Sequence, residues 1–231
     1  MDVLQKIDVA GVLIQFAVLL FALSLHEAAH AWVADSLGDY TARHLGRVTL
    51  NPLAHVDAVG TILFPLLQMI MHFPLIGWAK PVPVNPVHLK HPQRDQAWIS
   101  LAGPGANLMA GILTFAVLAA LKLSSAKAGF LLNYMIRTYQ IPAEKGILAP
   151  LLGILFFTLI INLALALFNI IPIPPLDGHW MLYAILPYNA ARGLEKLGSY
   201  GFILLYGLMF LGVFHLIFIP VQWVLTVLRA L

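Results

Sequence analysis

The sequence predicts an all-α membrane protein that crosses the bilayer several times, and its composition and long uncharged runs carry this prediction. Hydrophobic residues make up 61% of the 231 residues and charged residues only 10%, and the mean hydropathy is +0.88. Globular chains carry about 25% charged residues, so a soluble domain with this composition could not cover its apolar surface. The composition excludes a soluble enzyme and a disordered chain, and the lack of cysteine excludes a disulfide scaffold.

Runs without Asp, Glu, Lys or Arg mark the predicted helices. A spanning helix needs roughly 20 residues. The runs that reach or approach this length are 9–25, 96–121, 146–171 and 200–228. The first run continues with helical character into HEAAHAWVADSL, and MDVLQKID before it lacks the basic region of a signal peptide, so we expect a helix that stays in the protein.

Two shorter apolar segments complete the predicted architecture. The chain also contains 15 Pro and 17 Gly, which interrupt helices. Segment 58–75 contains Pro65 and is borderline, and 178–190 is too short to span alone. We therefore expect about five to six transmembrane or re-entrant helices. We expect them to form a single membrane domain that comprises residues 1–231. Its motif-bearing core covers about 10–190, and a C-terminal helical segment covers 197–229.

Basic loops give the expected orientation. Loops 35–57 and 76–95 both contain Lys or Arg, which favours the cytoplasmic side for both and makes 58–75 re-entrant. Loop 122–149 also has four basic residues, so the bias is not clean. The net charge of +3 is compatible with anionic lipid and gives no reason to expect nucleic acid as a partner.

Segment 77–89, GWAKPVPVNPVHL, differs from the helices around it. Pro81, Pro83 and Pro86 oppose helix and favour extended backbone. The segment is therefore predicted to be extended. It either turns the chain around or offers an edge to another extended peptide, and steric rules alone favour the first interpretation.

The sequence His26-Glu27-Ala28-Ala29-His30 follows the first apolar run. On a helix, residues i and i+4 share a face, so the two histidines can bind one metal ion and the glutamate can reach a water beside it. The alternative is a polar cluster where the helix leaves the membrane. A polar cluster of this kind accounts for a single histidine, but it gives no reason for three ionisable groups, His26, Glu27 and His30, to lie together.

Asp177 is the carboxylate within a distant apolar stretch, 146–191. Pro172, Pro174 and Pro175 break the helix just before it, and irregular backbone at membrane depth is tolerated only within protein or around a cavity. A catalytic zinc site usually has three protein ligands, so Asp177 is the candidate third ligand. Its alternative is an acid in a turn at the membrane interface.

Further polar residues are weaker candidates. Asn107 follows Gly103 and Gly105 in SLAGPGANL, and it either donates to an oxyanion or makes an interhelical hydrogen bond. His179 could support a ligand. The other histidines are expected to be structural: His44, His55, His72, His88, His91 and His215.

These elements resemble the site-2 protease family of intramembrane zinc metalloproteases, in its compact form without a PDZ or CBS domain. The resemblance rests on three elements in the same order: HEAAH at 26–30, Gly103–Asn107, and NIIPIPPLDG at 169–178. The stretches 51–61 and 77–86 also resemble the compact bacterial and archaeal branch.

The resemblance implies an endopeptidase that cuts transmembrane segments of membrane-anchored proteins in regulated intramembrane proteolysis. It implies one Zn²⁺ per chain, which activates water and polarises the scissile carbonyl, with three ligands: His26, His30 and Asp177. Glu27 would be the general base, and Asn107 and Asn169 would steady the oxyanion or the substrate strand. The implied location is a bacterial or archaeal inner membrane, with the active site toward the cytoplasm.

Two other classes of protein remain as alternatives. A metal-ion transporter could use the same His and Asp cluster as a transit site, although transport calls for several polar groups along a path. A membrane scaffold could keep a structural zinc, but such a site needs four protein ligands and the sequence offers no evident fourth. The oligomeric state does not follow from the sequence.

Overall fold

The computed structural model describes residues 9–71, 77–212 and 215–231. The described chain is all-helical and contains no strand. The sequence predicts the helices, but the short extended segment that it predicts at 77–89 is not confirmed, since residues 77–85 form no regular element and Pro86–His88 is a 3-10 helix. The α-helices are α1 (Val9–Ser36), α2 (Thr41–His44), α3 (Phe64–Met71), α4 (Pro92–Ser124), α5 (Ala126–Thr138), α6 (Leu148–Asn169), α7 (Gly178–Ile185), α8 (Tyr188–Gly198), α9 (Gly201–Phe210) and α10 (His215–Ala230). Short 3-10 helices lie at Pro52–Ala54 and Pro86–His88, and a π-helix lies at Ala58–Leu63.

Helices α1, α4 and α6 pack against one another and form the centre of the molecule. Among the described residues they are the three helices long and apolar enough to cross a membrane. These are the first three spans that the sequence predicts. The larger count of five to six spanning or re-entrant helices stays a prediction.

The main apolar core lies between α4, α5, α6 and α10. Leu118, Leu132, Phe156 and Leu228 are fully buried there, one from each helix. Burial of a large apolar side chain contributes roughly 1.5–3 kcal/mol in water. In lipid, close packing replaces this driving force. The core holds α4 and α6 in place, and residues of α4 and of the turn after α6 contact the histidines of α1.

The C-terminal apolar run is divided, although the sequence suggests one spanning segment at 200–228. Helix α9 ends at Phe210 and α10 begins at His215. Gly212 adopts a φ of +73°, in the left-handed region that ends helices and that glycine enters without strain. Residues 213–214 lie outside the described chain.

The region 58–71 folds as a π-helix followed by α3. Asp57 caps the π-helix, since its Oδ1 accepts hydrogen bonds from the backbone N–H groups of Val59 and Gly60. The predicted re-entrant path of 58–75 continues into residues 72–76, which are outside the described chain, so it stays a prediction.

The prolines after α6 break the helix as the sequence predicts. Helix α6 ends at Asn169 and α7 begins at Gly178, with turns between them. A Cβ atom at Gly178 would overlap the carbonyl oxygens of Ile170 and Ile171. Glycine therefore allows the tight turn that presents Asp177 to the centre of the molecule.

Candidate active site

Three side chains from distant parts of the chain meet beside the α1–α4 interface. His26 and His30 come from α1, and Asp177 comes from the turn before α7. The Oδ2 atom of Asp177 lies 3.0 Å from Nε2 of His26 and 3.3 Å from Nε2 of His30. The structure thus brings together the three ligands that the sequence suggests.

The helical spacing of the two histidines places their rings on one face of α1. The ring centroids are 4.7 Å apart and the planes are nearly perpendicular, at 86°. His26 and His30 are only 4% and 8% exposed, so both imidazoles are withdrawn from the surface. This edge-to-face arrangement lets both Nε2 atoms converge on one point.

Hydrogen bonds at the far side of each ring select the tautomer. Nδ1 of His26 lies 2.6 Å from Oδ1 of Asn107, and Nδ1 of His30 lies 2.6 Å from the carbonyl oxygen of Ile99. Both partners are acceptors, so each Nδ1 carries the hydrogen and each Nε2 keeps a lone pair. Such outer hydrogen bonds orient histidines that bind metal.

The three donor atoms fit a zinc ion. In a tetrahedral zinc site with bonds of about 2.0–2.1 Å, ligand atoms lie about 3.3 Å apart, which matches the two distances from Asp177. His₂-carboxylate is a ligand set of catalytic zinc sites, and it leaves a fourth position open. The residues present therefore fit Zn²⁺.

Gly103 of α4 leaves the space that such an ion requires. A Cβ atom built on this glycine would lie 2.6 Å from Nε2 of His26 and would also overlap Nε2 of His30. The sequence suggests only that small residues here allow close helix packing. In the structure, the absence of a side chain at Gly103 also leaves space on α4 directly opposite the Nε2 atoms of the two histidines.

Glu27 projects from the next position of α1 and is half-buried. Its Oε2 accepts a hydrogen bond of 3.1 Å from the backbone N–H of Val82, in the Pro-rich segment. Adjacent helix positions differ by about 100° in direction, so Glu27 lies beside the metal-binding face and not on it. A carboxylate there can act on water next to the ligands.

Asn107 is completely buried and connects three helices. Its Oδ1 accepts from His26, and its amide nitrogen donates to the carbonyl oxygen of Ala22 and to Oδ1 of Asn162, at 3.1 and 2.7 Å. Both amide hydrogens are thereby used. Of the two interpretations of Asn107, these contacts correspond to the interhelical hydrogen bond.

Asn162 belongs to the site, although the sequence analysis does not single it out. Its side chain accepts from Asn107 and donates to the carbonyl oxygen of Thr158, one turn earlier in α6. An amide inside the apolar run 146–176 was the available signal, since polar side chains at membrane depth usually have a partner.

Asn169 and His179 make local contacts. Asn169 ends α6, and its amide donates to the carbonyl oxygen of Leu165 in the same helix at 3.0 Å. Nδ1 of His179 lies 2.5 Å from the carbonyl oxygen of Leu176. The hydrogen bonds of the described residues do not connect either side chain to His26, His30 or Asp177.

Asp39 anchors the Pro-rich segment just beyond α1. It accepts from the backbone N–H of Asn85 at 2.6 Å, from the ring of His88 at 3.0 Å and from Thr41. Burial by itself raises the pKa of Asp39, but the hydrogen bonds from Thr41, His88 and Asn85 lower it to about 2. This carboxylate is therefore charged at neutral pH and stabilises the segment that contacts Glu27.

An apolar cavity of about 570 Å³ lies on the N-terminal side of the histidines, between α1, α4 and α6. Phe21 and Leu25 line it from α1, and Ile154 and Asn162 line it from α6. Leu25 directly precedes His26 in the chain, and Asn162 bonds to Asn107 behind that histidine, so the cavity lies next to the supporting contacts of the site.

An HExxH helix completed by an aspartate defines the class of a metallopeptidase. The model of peptidase family M50 matches residues 14–211. The chain therefore belongs to peptidase family M50, the site-2 protease family. Membership in this family, together with three apolar helices, indicates an integral membrane protein.

Curated relatives have names of the same kind. The chain is 36% identical over 185 residues to "Putative zinc metalloprotease YwhC" of Bacillus subtilis, a match that covers 80% of this chain and 74% of the relative. It is 31% identical over 207 residues to "Putative zinc metalloprotease Rip2" of Mycolicibacterium smegmatis, covering 88% and 69% respectively. No solved structure matches the chain significantly.

Proposed function

We propose that this protein is a zinc-dependent intramembrane endopeptidase that hydrolyses peptide bonds in transmembrane segments of membrane-anchored proteins. The observation that carries the proposal is the convergence of His26, His30 and Asp177, with both histidines held in the metal-binding tautomer. The two histidines lie on α1, a helix apolar enough to span a membrane, and this supports a site that works at membrane depth.

The protein side chains divide the work of hydrolysis. When bound by His26, His30 and Asp177, Zn²⁺ supplies Lewis acidity that activates water and polarises the scissile carbonyl. Glu27 takes a proton from the attacking water on its carboxylate and then delivers it to the leaving amine. The catalytic role of Glu27 follows from its position next to His26 and from the HExxH pattern.

Asn107 acts through His26. Its buried amide holds the Nδ1–H tautomer, so that the Nε2 lone pair faces the metal. This assigns Asn107 a positioning role in place of direct donation to an oxyanion. A role of Asn169 in steadying the substrate strand stays a prediction.

The surroundings support an apolar substrate that arrives from the bilayer. The cavity on the N-terminal side of the histidines is lined almost wholly by apolar side chains, which suits side chains of a transmembrane segment. A helix hides its backbone amides, so the substrate must unwind before cleavage. The Pro-rich segment 77–89 contacts Glu27 through Val82, and this supports pairing of the segment with the unwound strand.

The proposed setting is a bacterial or archaeal inner membrane, with the site toward the cytoplasm. The basic loops 35–57 and 76–95 support this side. Labelling of single cysteines at position 40 from the cytoplasmic face supports the orientation, and labelling only from outside contradicts it.

The function is tested by co-expressing tagged membrane-anchored candidate substrates with the wild type or with Glu27→Gln. We expect the wild type to cleave a substrate within its membrane segment and the variant to retain zinc and trap the intact substrate. Equal cleavage by both proteins contradicts the proposal. Zinc flux that depends on Glu27, without cleavage, would instead identify a transporter.

A further inference from the structure

We propose that the backbone N–H of Val82 is a positioning group for Glu27, an inference that rests on the proposed peptidase function. The N–H lies 3.1 Å from Oε2 of Glu27, across 55 residues of sequence. The bond connects the Pro-rich segment to the general base directly. Its role would be to aim the carboxylate at the attacking water.

The proline pattern leaves Val82 as the donor that faces Glu27. Pro81 and Pro83 flank it, and neither has an N–H. A shift of the segment by one residue in either direction would place a proline nitrogen opposite the carboxylate, and no bond could form. The Pro-Val-Pro sequence thus excludes the two neighbouring registers.

The chain before Val82 is held against the 52–63 region. The N–H of Lys80 donates to the carbonyl oxygen of His55 at 2.9 Å, and that of Trp78 donates to the carbonyl oxygen of Gly60 at 3.1 Å. A Cβ atom at Gly60 would overlap the ring of Trp78, so this approach is close. The donor at Val82 therefore does not depend on its bond to Glu27 for its position.

The chain after Val82 is held against the end of α1. Asp39 is 0% exposed and accepts from the N–H of Asn85 and from the ring of His88. Leu89 is buried against Ala34 and Ile99. Val82 thus lies between two anchored stretches, and one of them is attached to the same helix that contains Glu27.

The contact orients Glu27 and leaves its carboxylate able to accept further hydrogen bonds. A carboxylate has two oxygens and about four acceptor sites, so one bond at Oε2 leaves capacity for a water. Because a catalytic group displaced by about 1 Å can cost about 100-fold in rate, a rigid donor at this point has a clear catalytic use.

The experiment removes only this donor. Val82→Pro eliminates the N–H in a segment where extended backbone is already imposed by the flanking prolines. Incorporation of the α-hydroxy analogue of valine at position 82, which changes the amide to an ester, removes the N–H while keeping the side chain. Val82→Ala is the matched control, since it keeps the N–H and changes the side chain. The full-length proteins are compared for zinc content and for kcat and KM on one model transmembrane substrate.

We expect Val82→Pro and the ester variant to lose about tenfold to 100-fold in kcat, with zinc content unchanged and KM within about twofold of the wild type. Val82→Ala should keep kcat within about threefold. If Val82→Pro also loses zinc, its kcat no longer reports on the N–H alone, and the kcat of the ester variant then tests the inference.

Three results overturn the inference: unchanged kcat, an increased kcat, or a higher KM with unchanged kcat. An increased kcat would mean that the bond restrains Glu27, and a higher KM would mean that the N–H binds substrate instead. If the wild type itself shows no cleavage that depends on Glu27, the proposed function fails first and this inference fails with it.

Discussion

Nδ1 of His26 lies 2.6 Å from Oδ1 of Asn107, and this contact between α1 and α4 orients the first of the two candidate metal-binding histidines. Asn107 in turn donates to Asn162 of α6, so one buried chain of hydrogen bonds connects the three central helices to the site. The packing of the helices and the tautomer of the ligand therefore depend on each other.

Asn107→Leu should weaken zinc binding by about 10- to 100-fold, the cost typical of losing an outer partner of a metal-binding histidine. The variant removes the acceptor that keeps the hydrogen on Nδ1 of His26. Competition with a chromogenic chelator measures the change. Thr114→Val is a suitable control, because that buried hydroxyl of α4 donates to Ala110 in its own helix. Equal affinity in the two variants would contradict the assigned role.

Asn162→Leu should mainly affect stability. It leaves one amide hydrogen of Asn107 unpaired in the protein interior, which costs about 1–3 kcal/mol of the free energy of unfolding. Zinc affinity should fall less than in Asn107→Leu, since His26 keeps its direct partner. Unfolding in detergent measures the loss. Thr158→Val is the control, since its hydroxyl donates to Ile154 within α6, and an equal loss in that variant would argue against the network.

Gly103→Ala should abolish zinc binding while the helix persists. The added methyl group would occupy the space beside the Nε2 atoms of His26 and His30, whereas alanine is about 1 kcal/mol better than glycine in a helix. Gly105→Ala is a close control, because a Cβ atom there meets nothing within 4 Å. Metal analysis of both purified variants makes the comparison. Full zinc content in Gly103→Ala would show that the ion lies elsewhere.

Acid should release the segment that Asp39 anchors. The folded protein holds the pKa of Asp39 at about 2, below its usual value of 3.8. The stabilisation is therefore complete above about pH 4 and is lost as the pH falls through the folded value. Limited proteolysis near 77–89 between pH 5 and pH 2 should reveal increasing cleavage by an acid-stable protease. Asp39→Asn should be cleaved at all of these pH values, and a pH response equal to that of the wild type would refute the assignment.

Local patterns were sufficient to predict the centre of the site. The spacing of His26 and His30 is a property of one helix, and Asp177 stands out because charge is so scarce in this chain. The same scarcity locates the three long helices. Periodicity and composition contain this information without knowledge of the tertiary structure.

The supporting contacts could not be predicted because they join distant residues. The partner of His30 is the backbone oxygen of Ile99, and the partner of Glu27 is the backbone N–H of Val82. Because both partners are backbone groups, the type of side chain at these positions does not indicate the contact. Asn162 was recognisable as unusual, but its partner depends on how α4 and α6 pack. The division of the C-terminal run at Gly212 was missed because hydropathy does not detect a change in backbone conformation.

The central claim is that Glu27 performs proton transfer beside a zinc ion held by His26, His30 and Asp177. The most direct measurement compares zinc content and cleavage of one transmembrane model substrate by the wild type and Glu27→Gln, purified in parallel. We predict equal zinc, at one ion per chain, and a rate at least about 100-fold lower in the variant. Equal rates, or a wild type that cleaves without bound metal, would contradict the account.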